Sequence, residues 1–226
     1  MTVVSDSNAK PRYSIYFSPS DDSELAEFGR QVLQSEALEN DYPERIKITR
    51  KAAHYGFHST FKAPMELVEG ADLNQLLQAV ETFVRTKKPV ALKGLGPNRI
   101  KGFHALTLPA SNEVDQFAAD VVTSFDHFRA PMSEADRARR NPSELSTRQR
   151  EYLERYGYPH VLDDFRFHMT LSHRLDNIAE SNSYHAWLLD LFSKTVTETP
   201  WLDRLAIFSQ PDRASAFTRM AEFPVK

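Results

Sequence analysis

Two short strings hold the residues best suited to chemistry. They are Tyr55-Gly56-Phe57-His58-Ser59-Thr60-Phe61 and Phe165-Arg166-Phe167-His168-Met169-Thr170-Leu171, and each reads aromatic-x-Phe-His-x-Thr-apolar. Side chains alternate across a strand, so His58, Thr60 and Lys62 are expected on one face and Phe57, Ser59 and Phe61 on the other. In the second string Arg166, His168, Thr170, Ser172 and Arg174 share a face, over Phe165, Phe167, Met169 and Leu171. A single copy is what an ordinary half-exposed antiparallel strand shows. Two copies at equivalent places in a repeated architecture point to one site shared between them.

The residue types suit phosphodiester hydrolysis. Attack of water on phosphorus needs one group to take a proton and another to give one to the leaving alkoxide, and histidine, with an ordinary pKa of about 6.5, does either near neutral pH. Each Thr hydroxyl can donate to a non-bridging phosphoryl oxygen. Lys62, Arg166 and Arg174 would supply positive potential for the phosphate. The main rival is a non-catalytic module binding a nucleotide or sugar phosphate, although arginine, always charged and bidentate, would serve binding alone better than paired histidines. A third reading is RNA end processing or ligation.

Composition narrows the field. The 226 residues carry 28 Lys and Arg against 31 Asp and Glu, a net charge of −3, so a small phosphorylated substrate is a better expectation than long nucleic acid. With no Cys there is no disulfide, thiolate nucleophile or Cys-ligated metal. The 7 Gly form neither G-x-G-x-x-G nor a P-loop, so no nucleotide cofactor is expected. No metal is expected either. His54 and His58 lie four apart on a segment read as extended, where they would not converge, and no H-E-x-x-H is present. His104 reads as a satisfied strand histidine, and His173 should point away from His168. His127, His160 and His185 belong to no constellation. Residues 1–10 are polar without the pattern of a secretory signal, and no apolar run spans a membrane, so a frayed leader and a cytoplasmic location are expected.

The elements that must position the strings follow from apolar periodicity. Tyr13, Ile15 and Phe17 alternate in a first strand, followed by a helix on Leu25, Phe28, Val32 and Leu33 capped by Asp22 or Ser23. Residues 41–54 read as a charged connection, 55–63 as a strand ended by Pro64, and 73–84 as a helix capped by Asp72. Strands over 89–95 and 103–108 come next, joined by a turn through Gly94, Gly96, Pro97 and Asn98. A helix capped near Ser111 and carrying Val114, Phe117, Val121 and Phe125 follows. Then come a strand over 165–171, a helix with Trp187, Leu188 and Leu191, and strands near 202–208 and 214–223. Strand, helix, strand, helix, strand thus occurs twice. The expected fold is a duplicated, two-lobed α+β domain, with two mainly antiparallel sheets flanking a cleft and helices outside. Lobe one is expected over about 11–108 and lobe two over about 109–226. A lid-like helical insertion at about 130–163 includes a short helix after Pro142. Its arginines (137, 139, 140, 148, 150 and 155) read mostly as a solvated mixed-charge face, with one or two free to clamp a second phosphate.

On the paired His-x-Thr strings, and on Arg12-Tyr13-Ser14-Ile15-Tyr16-Phe17-Ser18-Pro19 and Gly157-Tyr158-Pro159, the chain resembles the two-histidine phosphoesterase superfamily. Within it, the chain looks like a bacterial branch of uncharacterised proteins associated with phosphonate metabolism. The resemblance runs over nearly the whole chain. It implies metal-independent cleavage or transfer at cyclic phosphodiesters or 2′-5′ linkages, with His58 and His168 catalytic and Thr60 and Thr170 binding phosphate. Ser172-His173-Arg174 departs from the Thr-Gly-Arg that follows the second motif in relatives, so that edge of the site is expected to differ.

Overall fold

The computed structural model describes residues 10–34, 42 and 44–225. The expected leader, apart from Lys10, lies outside them, as do parts of the connection expected over 41–54. The first half runs β1 (Arg12–Phe17), α1 (Glu24–Leu33), α2 (Arg45–Tyr55), β2 (Ser59–Met65), α3 (Leu73–Val84), β3 (Val90–Ala91) and β4 (Gly96–Ile100). The second runs β5 (Phe103–Thr107), α4 (Asn112–Phe125), α5 (Glu134–Ala138), α6 (Thr147–Tyr156), β6 (His168–Thr170), α7 (Ile178–Thr195), β7 (Trp201–Leu202), β8 (Arg204–Gln210) and β9 (Thr218–Pro224). The fold is α+β, with antiparallel sheets ordered β2-β1-β8-β9 and β4-β5-β6 and a small third pair, β3-β7.

The repeat is visible as an exchange. β8 leaves the second half to pair with β1 (Ile15 opposite Ile207), while β4 leaves the first to pair with β5 (Asn98 opposite Ala105). Division of the chain near residue 108 therefore does not follow the sheets. The cause is the tight β4–β5 hairpin, whose central residues Lys101 (φ 47°) and Gly102 (φ 94°) are both left-handed, as a type I′ turn requires. Gly96, Pro97 and Asn98, expected in a turn, are strand β4 instead. An edge strand tolerates a proline that cannot donate to a ladder.

Helix starts follow local chemistry. Ser23 accepts from the Ala26 amide, Asp72 and Gln75 form a reciprocal capping box, and Ser111 accepts from the Val114 amide. The connection expected over 41–54 is largely α2. It is held by buried Ile48, Thr49 and Ala52 and by Arg45, whose buried guanidinium donates to the carbonyls of Gln31 and Val32 at 2.9 Å each. Those carbonyls belong to the last turn of α1, where a cation is favoured.

β2 and β6 are edge strands of the two large sheets, and their Cα atoms approach within 8 Å. Phe61 packs on Phe165 (5.8 Å between ring centroids) and Phe167 (6.5 Å), and Phe17 on Phe167 (6.1 Å), so the apolar faces of both strings form one core. The alternation expected for 165–171 holds in burial, with Phe167, Met169 and Leu171 all buried, although only three residues have strand geometry. Among the described residues no helix is long and apolar enough to cross a membrane.

Candidate active site

Two glycines aim the first histidine. Gly56, at φ 78°, ends α2 and turns the chain into β2. Gly29 of α1 lies so close to the Phe57 ring that a Cβ there would stand 2.2 Å from it, so Phe57 is anchored on bare helix backbone. His58 follows, and its Nδ1 lies 3.0 Å from the Gly56 carbonyl. His168 repeats the device, with Nδ1 at 2.8 Å from the Arg166 carbonyl. A carbonyl only accepts, so each Nδ1 carries a proton and each Nε2 is left for another partner.

The two surroundings differ. The His58 ring stacks on Tyr16 of β1 at 3.9 Å and 16°. Burial, and to a lesser degree the charge of His168, push its pKa down to about 4 despite the Gly56 hydrogen bond. His168 meets Phe103 edge-on at 6.3 Å.

His58, Thr60, Thr170 and Phe103 line one cleft of about 820 Å³. Each string thus contributes a Thr to it, while His168, in ring contact with the lining Phe103, is not itself among the lining residues. Arg12, Lys51, Arg139, Arg140, Arg174 and Arg213 also line it, against one carboxylate, Asp136. A protein of net charge −3 thus concentrates positive charge where an anionic substrate would sit.

The expected phosphate-contacting cations divide. Arg174 lines the cleft, its Nε donating to Asp176 at 2.8 Å and its Nη1 to the Lys101 carbonyl. Lys62 does not line it. Its ammonium is buried and donates to Asp126 at 2.5 Å, beside Arg129. Thr60 pairs with Tyr16 and Lys62 with Ile15, so two β2 residues pass for one of β1, and this bulge reverses the faces. Ala63 and Pro64 take the cleft side instead. Arg166 lies just before β6 and is exposed as the alternation requires, but its guanidinium turns to the carbonyls of Asp163 and Phe165.

Three other sequence readings are sharpened or corrected. His173, expected to face away, lines the cleft because β6 has already ended, and its Nδ1 and main-chain N–H both donate to the Ile48 carbonyl. His104 is fully buried between Ser172 and Ser181, as a satisfied strand histidine, and its pKa falls to about 4, chiefly through burial. Within the insertion, Arg137 pairs with Glu154 and Arg148 with Asp164, while Arg139 and Arg140 reach the cleft. Sequence reasoning missed Arg12, Tyr16, Lys51 and Arg213. Arg12 and Tyr16 had a signal, since both lie on the Ser14 face of the first alternating strand. Among the described residues no three His, Cys, Asp or Glu side chains gather as a metal site.

The family model described as "Protein of unknown function (DUF1045)" matches residues 60–218. The chain belongs to this family. It is 34% identical over 181 residues to a Janthinobacterium sp. (strain Marseille) protein named ribose 1,5-bisphosphate phosphokinase PhnN, over 75% of this chain and 40% of that one. A protein of the same name from Laribacter hongkongensis (strain HLHK9) is 27% identical over 216 residues, 91% of this chain and 50% of that one. The chain thus spans half or less of these relatives. Among solved structures it overlaps Usb1 of Kluyveromyces marxianus, with TM-score 0.43, 12% identity, and coverage of 96% of this chain and 99% of that one. It also overlaps the conserved protein of unknown function ATU0111 from Agrobacterium tumefaciens str. C58, with TM-score 0.42, 14% identity, and coverage of 94% and 85%.

Proposed function

We propose that this chain is a phosphoesterase that opens a cyclic phosphodiester of a small phosphorylated metabolite, with the two histidines moving the protons. The observation that carries the reading is the matched pair of Nδ1–carbonyl bonds, which frees an Nε2 atom at the start of each of two adjoining edge strands, with His58 and both Thr lining a cationic cleft. His58, held neutral by burial at pH 7, takes the proton of the attacking water on Nε2. The water oxygen bonds to phosphorus as the ester P–O bond breaks, and His168, in the role of acid, passes a proton from Nε2 to the departing alkoxide. Thr60 and Thr170 donate to the non-bridging oxygens, and Arg174 and Lys51 offset their charge. The acid, base and oxyanion donors are all side chains, so the reaction is expected to run without a metal ion.

The name of the two relatives supports a phosphorylated sugar as the metabolite over other classes. The test is incubation with a panel of nucleoside and sugar cyclic phosphates, with and without excess EDTA, followed by mass spectrometry. Gain of 18 mass units on one class, unaffected by EDTA, is expected. Binding without turnover across the panel would favour a binding module, and loss of turnover in EDTA with recovery in Mg²⁺ would overturn the metal-free mechanism.

A further inference from the structure

On the wall of the cleft, charge is gathered from three separate segments. Arg12 comes from β1, Arg139 and Arg140 from the insertion, and Arg213 from the turn between β8 and β9. One carboxylate, Asp136, stands among them. Its two oxygens accept from Arg139 at 2.9 Å and Arg213 at 2.5 Å, and Ser133 donates to it at 3.0 Å. Four guanidiniums against one carboxylate leave a local excess of three positive charges. Arg12 feels it, its pKa lowered first by burial, then by Arg213 and, less, by Arg140.

Donors here also remain unused. The Nε of Arg12 is buried without a hydrogen-bond partner. The Arg140 guanidinium lies over the Tyr158 ring at 4.9 Å and forms no ion pair among the described residues, which keeps the in-plane N–H groups available. A solvated surface network would balance its charges or spread them. This one crowds them around the wall of a cleft.

We propose that this cluster is a second anion position that takes a second phosphate of the substrate, and that Asp136 is the counter-ion which this phosphate displaces. The inference rests on the phosphoesterase reading for the first position. Tyr16, beneath His58, and Arg12 lie four residues apart on one face of β1, about 13 Å at about 3.3 Å per residue. Long arginine side chains shorten that span, so both positions are within reach of one small molecule carrying phosphates at its two ends. A phosphate monoester, with three acceptor oxygens and close to two charges, fits planar guanidinium donors better than one carboxylate does. Asp136 sits on the five-residue α5 within the insertion, attached through ion pairs of modest strength that a ligand can replace. The substrate class is therefore a cyclic phosphodiester bearing a separate phosphomonoester.

The experiment compares kcat/KM for 2′,3′-cyclic AMP and for the same compound carrying a 5′-phosphate, on the whole chain and on Arg140→Ala, Arg213→Ala and Asp136→Asn. The phosphorylated compound should be preferred about 10- to 100-fold, the worth of a charge-assisted contact. Arg140→Ala and Arg213→Ala should bring the preference towards one, lowering kcat/KM for the phosphorylated compound far more than for the unphosphorylated one. Asp136→Asn should widen it, since the phosphate no longer competes with a fixed carboxylate. Hydrolysis of both compounds at equal kcat/KM would overturn the second position and leave the phosphoesterase reading standing. Should neither be hydrolysed, calorimetric binding of adenosine 3′,5′-bisphosphate decides the point. Tighter binding than adenosine 3′-phosphate, with the gain lost in Arg140→Ala, supports the second position, and equal binding of the two overturns it.

Discussion

The His-x-Thr strings on β2 and β6 have almost the same sequence pattern, yet the protein builds different environments around them. Each histidine is tied through Nδ1 to the carbonyl two residues earlier, so the ring orientation is common to both. β2 runs seven residues, packs its histidine face-on against Tyr16, and buries Lys62 in an ion pair four residues after His58. β6 runs three residues, meets only an aromatic edge, and at the position four after His168 has Ser172, whose hydroxyl accepts from the His104 amide and donates to the His173 carbonyl. Local backbone sets which atom faces the cleft, and packing sets its proton affinity. On the proposed reading, a duplicated motif in this way supplies two different groups, a base and an acid.

Removing either imidazole tests the division of roles between the two strings most strongly. His58→Ala and His168→Ala should each lower kcat about 10²–10⁴-fold on an alkyl phosphodiester, with the double variant far short of the product of the two losses. The roles separate on an aryl diester such as bis(p-nitrophenyl) phosphate, whose leaving group needs no proton. His168→Ala should recover most of its rate there and His58→Ala should not. Recovery of both, or of His58→Ala alone, would reverse the assignment.

The next effect is structural and concerns the two positions four residues beyond the histidines. Lys62→Met should destabilise the fold by about 3 kcal/mol, the low end for breaking a buried pair, because Arg129 stays on Asp126. Ser172→Ala leaves the buried His104 amide without its acceptor and should cost about 1–3 kcal/mol. Urea unfolding measures both. A Lys62→Met variant as stable as the parent, but with weakened substrate binding, would restore Lys62 to the site.

The same positions show why the sequence was legible only in part. The repeat, the His and Thr pair, the helix caps and the buried Phe faces follow from local periods and survive in the fold. Lys62 was misplaced because a bulge is one extra residue in a pairing, and no single strand records its partner. His173 was misplaced because alternation was carried past the end of β6, and Arg166, exposed as alternation requires, bonds to main-chain carbonyls instead. α2 was missed because its helix depends on Arg45 reaching the carbonyls of Gln31 and Val32 on α1, a tertiary bond. Arg213 reaches the cleft only through the β8–β9 turn, which pairing with β1 carries there.

Acidity should expose the buried histidines. His58 and His104 have folded pKa values near 4 against about 6.5 unfolded, so at pH 7 both are neutral in either state and their titration contributes nothing. As pH falls from about 6.5 towards 4 the unfolded chain takes up protons first, and stability should drop by up to about 3 kcal/mol for each group. His58→Gln should remove about half of that loss, read as a flatter dependence of urea midpoint on pH between 7 and 4. An unchanged slope would mean that burial does not depress the His58 pKa.

The smallest effect isolates the aromatic neighbours. Tyr16→Leu removes a stacked ring contact worth about 0.5–1.5 kcal/mol beyond its buried area, whereas Phe103→Leu at 6.3 Å removes an edge contact and should cost less. Neither change touches the Gly56 or Arg166 carbonyl, so ¹⁵N spectra should show the Nδ1–H form of both histidines in either variant. The rates should then separate packing from tautomer. Tyr16→Leu should raise the pKa of His58, seen in its NMR titration, and shift the acid limb of kcat/KM upward with it, because a smaller side chain admits water to the ring. Phe103→Leu should leave the His58 titration in place. Equal shifts from the two variants would show that the stacking on Tyr16 does not distinguish the strands, and the neutral base would then have to be traced to the cleft's positive charge.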